Sequence, residues 1–217
     1  MSAKPDAIRG LYAIFDSTYL SPDSFSAAAG DIIKGGGRII QARAKGLPER
    51  EILPALCEAQ EAAASGGGLF IVNDSAAAAA ACGAHGVHIG QKDCTVEEAR
   101  RLLGPGAIIG VSTHNIEEAL RAEAQGADYI SFGPVFPTRT KDDADAPKGL
   151  ASLRKISGAV SIPVVAIGGI TAETAPEVLS CGAAATAIIS DILLSGDIAG
   201  RVAAIISAID GPRSKRP

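Results

Sequence analysis

The sequence predicts an α/β chain folded as a single (β/α)8 barrel, and three observations carry that reading. Short aliphatic runs rich in β-branched residues recur along the 217 residues, each followed by a stretch with helical periodicity. Glycine-bearing turns separate most helical stretches from the next run, at Gly35–Gly37, Gly66–Gly68, Gly83, Gly126 and Gly182. The apolar fraction is 47%, supplied by Ala, Ile, Val and Leu with only 4% aromatics, which suits parallel strands buried on both faces.

Taken in order, the expected strands are Leu11–Asp16, Arg38–Ala42, Leu69–Asn73, Gly86–Ile89, Ile108–Ser112, Tyr129–Gly133, Val164–Ile167 and Ala185–Ile189. The expected helices are Ser24–Lys34, Glu49–Ala64, Ala76–Cys82, Thr95–Leu103, Ile116–Gln125, Leu150–Ile156, Thr174–Ser180 and Ile198–Ala208. The alanine run Ala76–Ala81 reads as a close-packed helix, since alanine has the highest helix propensity. Repeated βα units predict a parallel sheet, and eight of them favour closure into a TIM barrel over a doubly wound sheet. No linker or composition break divides the chain, so residues 1–210 are expected to be one barrel domain. Residues 211–217 read as a basic C-terminal tail with no function of its own.

Composition excludes several classes. A net charge of −4 offers nothing global to nucleic acid or an anionic membrane, so the cations for an anionic substrate have to be local. Cys57, Cys82, Cys94 and Cys181 show no CxxC pairing, which argues against a zinc knuckle or a disulfide framework and for a reducing compartment. The segment Met1–Gly10 lacks the apolar core of a signal peptide, and no apolar stretch reaches membrane-spanning length. The expected location is cytoplasmic, with small molecules as partners and a homo-oligomer left open.

In a closed barrel the chemistry gathers where strands end and the following loops begin. Strand two ends in Gln41-Ala42-Arg43-Ala44-Lys45, and alternation puts Gln41, Arg43 and Lys45 on one face: two cations and an amide. Strand three ends in Asn73-Asp74, and strand four leads into Gln91-Lys92-Asp93. Asp74 and Asp93 suit either the N-caps of the next helices or a shared Mg²⁺, which commonly takes one or two carboxylates. Ser112, at the end of strand five, either meets a ligand or caps the helix near Ile116. His114 is either surface decoration or a general base, whereas His85 and His88 face opposite ways and do not share a metal.

The connection from Gly133 to Gly149 is long and carries Thr138-Arg139-Thr140-Lys141, which reads as a lid over an anionic ligand or else as a plain surface loop. Strand seven ends in Gly168-Gly169 and strand eight in Ile189-Ser190, where barrels of this kind frequently hold phosphate. Two anion sites emerge. One is metal-assisted, built from Gln41, Arg43, Lys45, Asn73, Asp74, Asp93 and Lys141; the other is a cradle at Gly169, Ile189 and Ser190 with Thr138 and Thr140 nearby. No Ser–His–Asp set, catalytic Cys or Schiff-base signature stands out, so departure of a phosphorylated leaving group fits better than covalent catalysis by a side chain.

In their order, these motifs resemble the thiamine-phosphate synthase family. The resemblance rests on Gln-x-Arg-x-Lys at 41–45, Asn-Asp at 73–74 and Gly-Val-His-Ile-Gly-Gln-x-Asp at 86–93. It continues through Gly-Val-Ser-Thr-His at 110–114, Gly-Pro-Val-Phe-Pro-Thr-x-Thr-Lys at 133–141 and Ala-Ile-Gly-Gly-Ile at 166–170. It implies condensation of 4-amino-2-methyl-5-hydroxymethylpyrimidine diphosphate with a thiazole phosphate, or its carboxylate, to give thiamine phosphate and pyrophosphate. The implied roles are the pyrimidine diphosphate on Gln41, Arg43, Lys45, Asn73, Ser112 and Lys141, and Mg²⁺ on Asp74 and Asp93. Thr138, Thr140, Gly169, Ile189 and Ser190 would take the thiazole phosphate, and Arg43, Lys141 and Ser112 would act in catalysis.

The resemblance also implies a dissociative course in which diphosphate leaves before the thiazole nitrogen bonds. Three positions depart from the family pattern: Ala42 replaces a larger apolar residue, Ala44 an acidic or polar one, and Ser75 the usual arginine. Two other readings share the fold, a thiazole tautomerase dependent on His114 and a non-catalytic thiamine-precursor-binding protein.

Overall fold

The structure, a computed structural model, describes residues 7–138, 140 and 146–211. Its eight strands are β1 (Gly10–Asp16), β2 (Ile39–Arg43), β3 (Leu69–Asn73), β4 (Gly86–Ile89), β5 (Ile108–Thr113), β6 (Tyr129–Phe132), β7 (Val164–Ile167) and β8 (Ala185–Ile188). All neighbours pair in parallel, and β1 pairs with β8, so the sheet closes into a barrel in sequence order. The expected strands are all present, with ends moved by one residue at most.

The helices are α1 (Phe25–Lys34), α2 (Glu49–Ser65), α3 (Ala76–Ala81), α4 (Val96–Leu103), α5 (Ile116–Ala124), α6 (Gly149–Ser157), α7 (Ala175–Ser180), α8 (Ser190–Leu193) and α9 (Ile198–Asp210). A 3-10 turn at Pro22–Ser24 precedes α1. The four-residue α8 was not expected from the sequence, because a single turn is too short to show a helical period. The expected C-terminal tail beyond Gly211 lies outside the described residues.

Alternation along each strand sorts side chains into two layers. Leu11, Ala13, Phe15, Ile40, Phe70, Val87, Ile109 and Ile130 point outward and pack under the helices. Tyr12, Ile14, Ile39, Ile71, Ile108, Tyr129, Val165, Ala185 and Ala187 point inward and fill the barrel. On four strands the inward residues near the C-terminal end are polar: Gln41 and Arg43 on β2, His88 on β4, Ser112 on β5 and Ser131 on β6. One glycine makes this interior possible. A Cβ on Gly110 would overlap the ring of Tyr129, so its absence on β5 gives the large side chain of β6 its place across the barrel.

The N-caps of α3, α4 and α5 are supplied by short polar side chains. Thr95 and Glu98 form a capping box on α4, Asn115 caps α5, and Ser75 caps α3 by accepting from the Ala78 N–H. At the opposite, N-terminal end of the strands, Arg100 closes on Asp128 at 2.8 Å, and Asp128 also accepts from the Ile109 N–H at 2.8 Å.

Candidate active site

The caps decide several open questions. Asp74, Asp93 and Ser112 are not the N-caps of α3, α4 and α5, since Ser75, Thr95 and Asn115 hold those positions. Asp74 adopts the left-handed conformation, with φ of 66°, and its N–H donates to the His88 carbonyl at 2.8 Å. Asp93 accepts from the Gly90 N–H at 2.7 Å and faces Asp74 from the loop after β4. Burial raises the Asp74 carboxyl above its ordinary pKa, and Asp93 raises it further as a like charge and a hydrogen-bonding neighbour. The charges of Lys45 and Arg43 oppose the rise without cancelling it.

Two apposed carboxylates, one pushed toward its neutral form, are a donor set that a divalent cation relieves. Among the described residues, no group of three or more His, Cys, Asp or Glu side chains gathers as a metal cluster. A cation held by this pair alone would complete its shell with water and ligand oxygens, the pattern Mg²⁺ favours.

Arg43 is buried and held by Asp16, which is fully enclosed, at 2.5 Å. Asp16 also accepts from the Thr18 N–H at 2.9 Å, so the carboxylate is fixed on both oxygens and the guanidinium is oriented before any ligand arrives. Asp16 ends β1, yet sequence reading passed over it, because a lone strand-end aspartate resembles a loop residue until its partner is known. Lys45, in the turn beyond β2, is exposed. Gln41 shares its inward face with Arg43 as expected, but it does not reach the rim: it is enclosed and donates to the Tyr12 hydroxyl at 3.1 Å. Asn73 ends β3. Lys141 and Arg139 lie outside the described residues.

A cavity of about 340 Å³ opens at the C-terminal end of the barrel. Its walls bring together Lys45, Ser112, His114, Thr138, Thr140, Gly169, Ile189 and Ser190, which the sequence had distributed over five different loops. Tyr19 donates to the Thr140 hydroxyl at 3.1 Å and tethers that loop to the one after β1. The loop after β6 is fastened to β7 by bonds from Val135 N–H to Ile167 O at 2.9 Å and from Phe136 N–H to Gly168 O at 3.0 Å. Gly168 and Gly169 both take positive φ, and a Cβ on either would overlap this loop. The glycine pair thus serves the loop's close approach as well as any phosphate.

Ser190 begins α8, and the next residue, Asp191, accepts from the Ala172 N–H at 3.0 Å and pairs with Arg201 at 2.7 Å. His114 pairs with Glu118 at 2.8 Å. Burial by itself would raise the Glu118 carboxyl, but bonds from the His114 ring and backbone and from Asn115 hold it below its ordinary value.

With this geometry in place, comparison with known proteins is decisive. The family model described as thiamine monophosphate synthase matches residues 11–192. The chain belongs to this family. It is 42% identical over 190 residues to the thiamine-phosphate synthase of Clostridium novyi, covering 88% of this chain and 93% of that one. It is also 42% identical over 200 residues to that of Shouchella clausii, covering 92% and 96%. The solved thiamine phosphate pyrophosphorylase of Pyrococcus furiosus superposes with a TM-score of 0.83 at 36% identity, covering 94% of this chain and 98% of that chain. The tautomerase and non-catalytic readings are not favoured, since these relatives are synthases by name.

The departures from the synthase family pattern have local structural roles. Ala42 points outward into the layer beneath the helices, and Ala44 packs against the same layer. Ser75 caps α3 and donates to Glu49 on α2 at 2.7 Å. The residues that sequence reading left without a role, Asp16, Tyr12, Tyr129, His88 and Ser131, all lie inside the barrel of this synthase-family chain. Their signal is period-two placement on the inward face, which the sequence shows for His88 relative to His85 without showing that Tyr129 and Ser112 are its partners.

Proposed function

We propose that this protein is a thiamine-phosphate synthase. It joins 4-amino-2-methyl-5-hydroxymethylpyrimidine diphosphate to a thiazole phosphate, or its carboxylate, and releases pyrophosphate. The observation that carries the reading is the apposition of Asp74 and Asp93 beside Lys45 and Arg43, next to a cavity lined by Ser112, Thr138, Thr140, Gly169, Ile189 and Ser190.

In this reading Asp74 and Asp93 hold Mg²⁺, and Arg43, Lys45, Asn73 and Lys141 hold the pyrimidine diphosphate, with Gln41 enclosed beneath them on Tyr12. Bound Mg²⁺ supplies Lewis-acid charge stabilisation to the departing pyrophosphate. The chain's own part is positional and electrostatic. Arg43, already aimed by Asp16, offers a fixed fork of donors where negative charge grows as the carbon–oxygen bond breaks. Ser112 fixes the pyrimidine ring, whose electrons stabilise the methylene cation left behind. Thr138, Thr140, Gly169, Ile189 and Ser190 hold the thiazole phosphate so that the ring nitrogen faces that carbon and donates its lone pair. No strong general base is required.

Among the described residues no helix is long and apolar enough to cross a membrane, and all four cysteines are unpaired thiols. The thiols support a cytoplasmic location. The test is incubation of the purified protein with both phosphorylated precursors and Mg²⁺. Thiamine phosphate is expected, and none at saturating substrate removes the reading.

A further inference from the structure

A hydrogen-bonded chain of side chains crosses the barrel beneath the cavity. Gln41 Nε2 donates to the Tyr12 hydroxyl at 3.1 Å, and the Tyr12 and Tyr129 hydroxyls are 2.7 Å apart. The Tyr129 hydroxyl is 3.0 Å from His88 Nδ1, and His88 Nε2 is 2.9 Å from Ser112 Oγ and 3.2 Å from Ser131 Oγ. The His88 ring stacks on Tyr129 with centroids 5.4 Å apart. Gln41, Tyr12, Tyr129, His88 and Ser131 are all buried, and Ser112 and Ser131 stand in the cavity wall.

The chain has a direction. An amide nitrogen can only donate, so the Tyr12 oxygen is an acceptor from Gln41, and its own proton is free to bond the Tyr129 oxygen. Tyr129 then gives its proton to His88 Nδ1. With Nδ1 accepting, the neutral imidazole carries its one hydrogen on Nε2 and donates to Ser112 Oγ, the nearer of the two serine oxygens. Because Nε2 then carries the hydrogen, Ser112 Oγ accepts from it and cannot donate back, which leaves the Ser112 O–H for a group in the cavity. The opposite sense would aim the Tyr12 proton at an amide nitrogen in the closed interior, leaving a buried donor unpaired. Burial also raises both phenols above their ordinary pKa, so they stay protonated and the chain transmits orientation rather than protons.

We propose that His88 is a positioning residue that, through this directed chain, commits Ser112 to act as a hydrogen-bond donor and so makes the site select a pyrimidine presenting a ring-nitrogen acceptor there. The inference rests on the reading of Ser112 as a contact of the pyrimidine. It adds a specificity. The 4-aminopyrimidine ring offers an unprotonated nitrogen beside its amino group, whereas the 4-oxo analogue in its lactam form offers an N–H. A fixed serine donor accepts the first and rejects the second, because two opposed donors leave both unpaired.

The test uses the full chain and two substrates, the 4-aminopyrimidine diphosphate and its 4-oxo analogue, with thiazole phosphate as the common partner. Tyr129→Phe removes the hydroxyl that links Tyr12 to His88, and Tyr129 is not part of the cavity wall. It is expected to reduce the amino-over-oxo preference about ten-fold or more and to raise KM for the pyrimidine diphosphate, with KM for the thiazole phosphate unchanged. His88→Gln, which offers an amide donor toward Ser112, is expected to retain more of the preference than His88→Ala.

A readout independent of turnover is ¹⁵N NMR of His88, expected to show hydrogen on Nε2 in the unaltered chain and a mixture of tautomers in Tyr129→Phe. Hydrogen on Nδ1 in the unaltered chain, or an unchanged substrate preference in a folded Tyr129→Phe variant, overturns the proposal. Ser112→Ala separates the two levels. If it raises KM for the pyrimidine diphosphate while Tyr129→Phe changes nothing, the positioning role fails and the Ser112 contact stands. If Ser112→Ala leaves that KM unchanged, both fail.

Discussion

The Asp74 carboxyl meets that of Asp93 across the ends of adjacent strands, and it is held there by a left-handed backbone that few residues besides glycine, asparagine and aspartate adopt readily. A strained conformation and a repelled carboxylate on one residue mark a position kept for binding rather than for stability.

That pairing sets the first prediction. The folded-state pKa of Asp74 is raised, by burial first and by Asp93 next. A raised carboxyl contributes most to stability in acid, below the unfolded value, and the contribution is lost as pH rises through the folded value. Asp74→Asn removes the titrating group and keeps a residue that tolerates positive φ. In metal-free protein at about pH 7 the variant is expected to have a higher Tm than the unaltered chain and no activity. The Tm advantage should vanish in acid. An equal or lower Tm at neutral pH contradicts the electrostatic account.

Asp16 and Arg43 give the second prediction. Asp16→Asn keeps the shape and removes the charge, leaving a buried guanidinium without its counter-ion. A loss of about 3 kcal/mol is expected in urea unfolding, together with a raised KM for the pyrimidine diphosphate as Arg43 loses its orientation. A shift in KM without a shift in the unfolding midpoint contradicts the burial argument.

Gly169 gives the third. At φ of 63° any Cβ is strained, and here it would also strike Pro137 O in the loop that carries Thr138. Gly169→Ala is expected to displace that loop and raise KM for the thiazole phosphate about ten-fold, with KM for the pyrimidine diphosphate little changed. Gly158→Ala is the control: that glycine has φ of −85° and an added Cβ would make only ordinary van der Waals contacts, so it should be near neutral.

The fourth concerns the other end of the barrel. Arg100 binds Asp128, Ala107 O and Gly126 O where β5 and β6 begin, far from the cavity. Arg100→Ala is expected to lower stability by about 1–2 kcal/mol and to leave kcat and both KM values unchanged. A change in KM would mean that the two ends of the barrel are coupled.

These residues also show what could be read from the chain alone. The barrel was legible because its strands are short aliphatic runs with clear glycine punctuation, and the meeting of Gly168-Gly169 with Ser190 in one cavity was legible because both follow strand C-termini of a closed barrel. Asp74 and Asp93 remained ambiguous with helix caps until Ser75 and Thr95 were seen to hold those positions. Asp16 and His88 were opaque for a different reason. Each matters through one partner far away in sequence, Arg43 or Ser112, and a single strand carries no record of which side chain lies across the barrel. The role of α8 was hidden too, since a four-residue turn held by Asp191 and Arg201 has no periodicity to detect.

The central claim is that two carboxylates gather a divalent ion which, with neighbouring cations, lets diphosphate depart. The most direct measurement is pyrophosphate release against Mg²⁺ concentration, in the unaltered chain and in Asp93→Ala, with both precursors present. Release that requires Mg²⁺ in the first and is abolished in the second, with the fold intact by circular dichroism, is the predicted result. Normal turnover by Asp93→Ala at the same Mg²⁺ concentrations would contradict it.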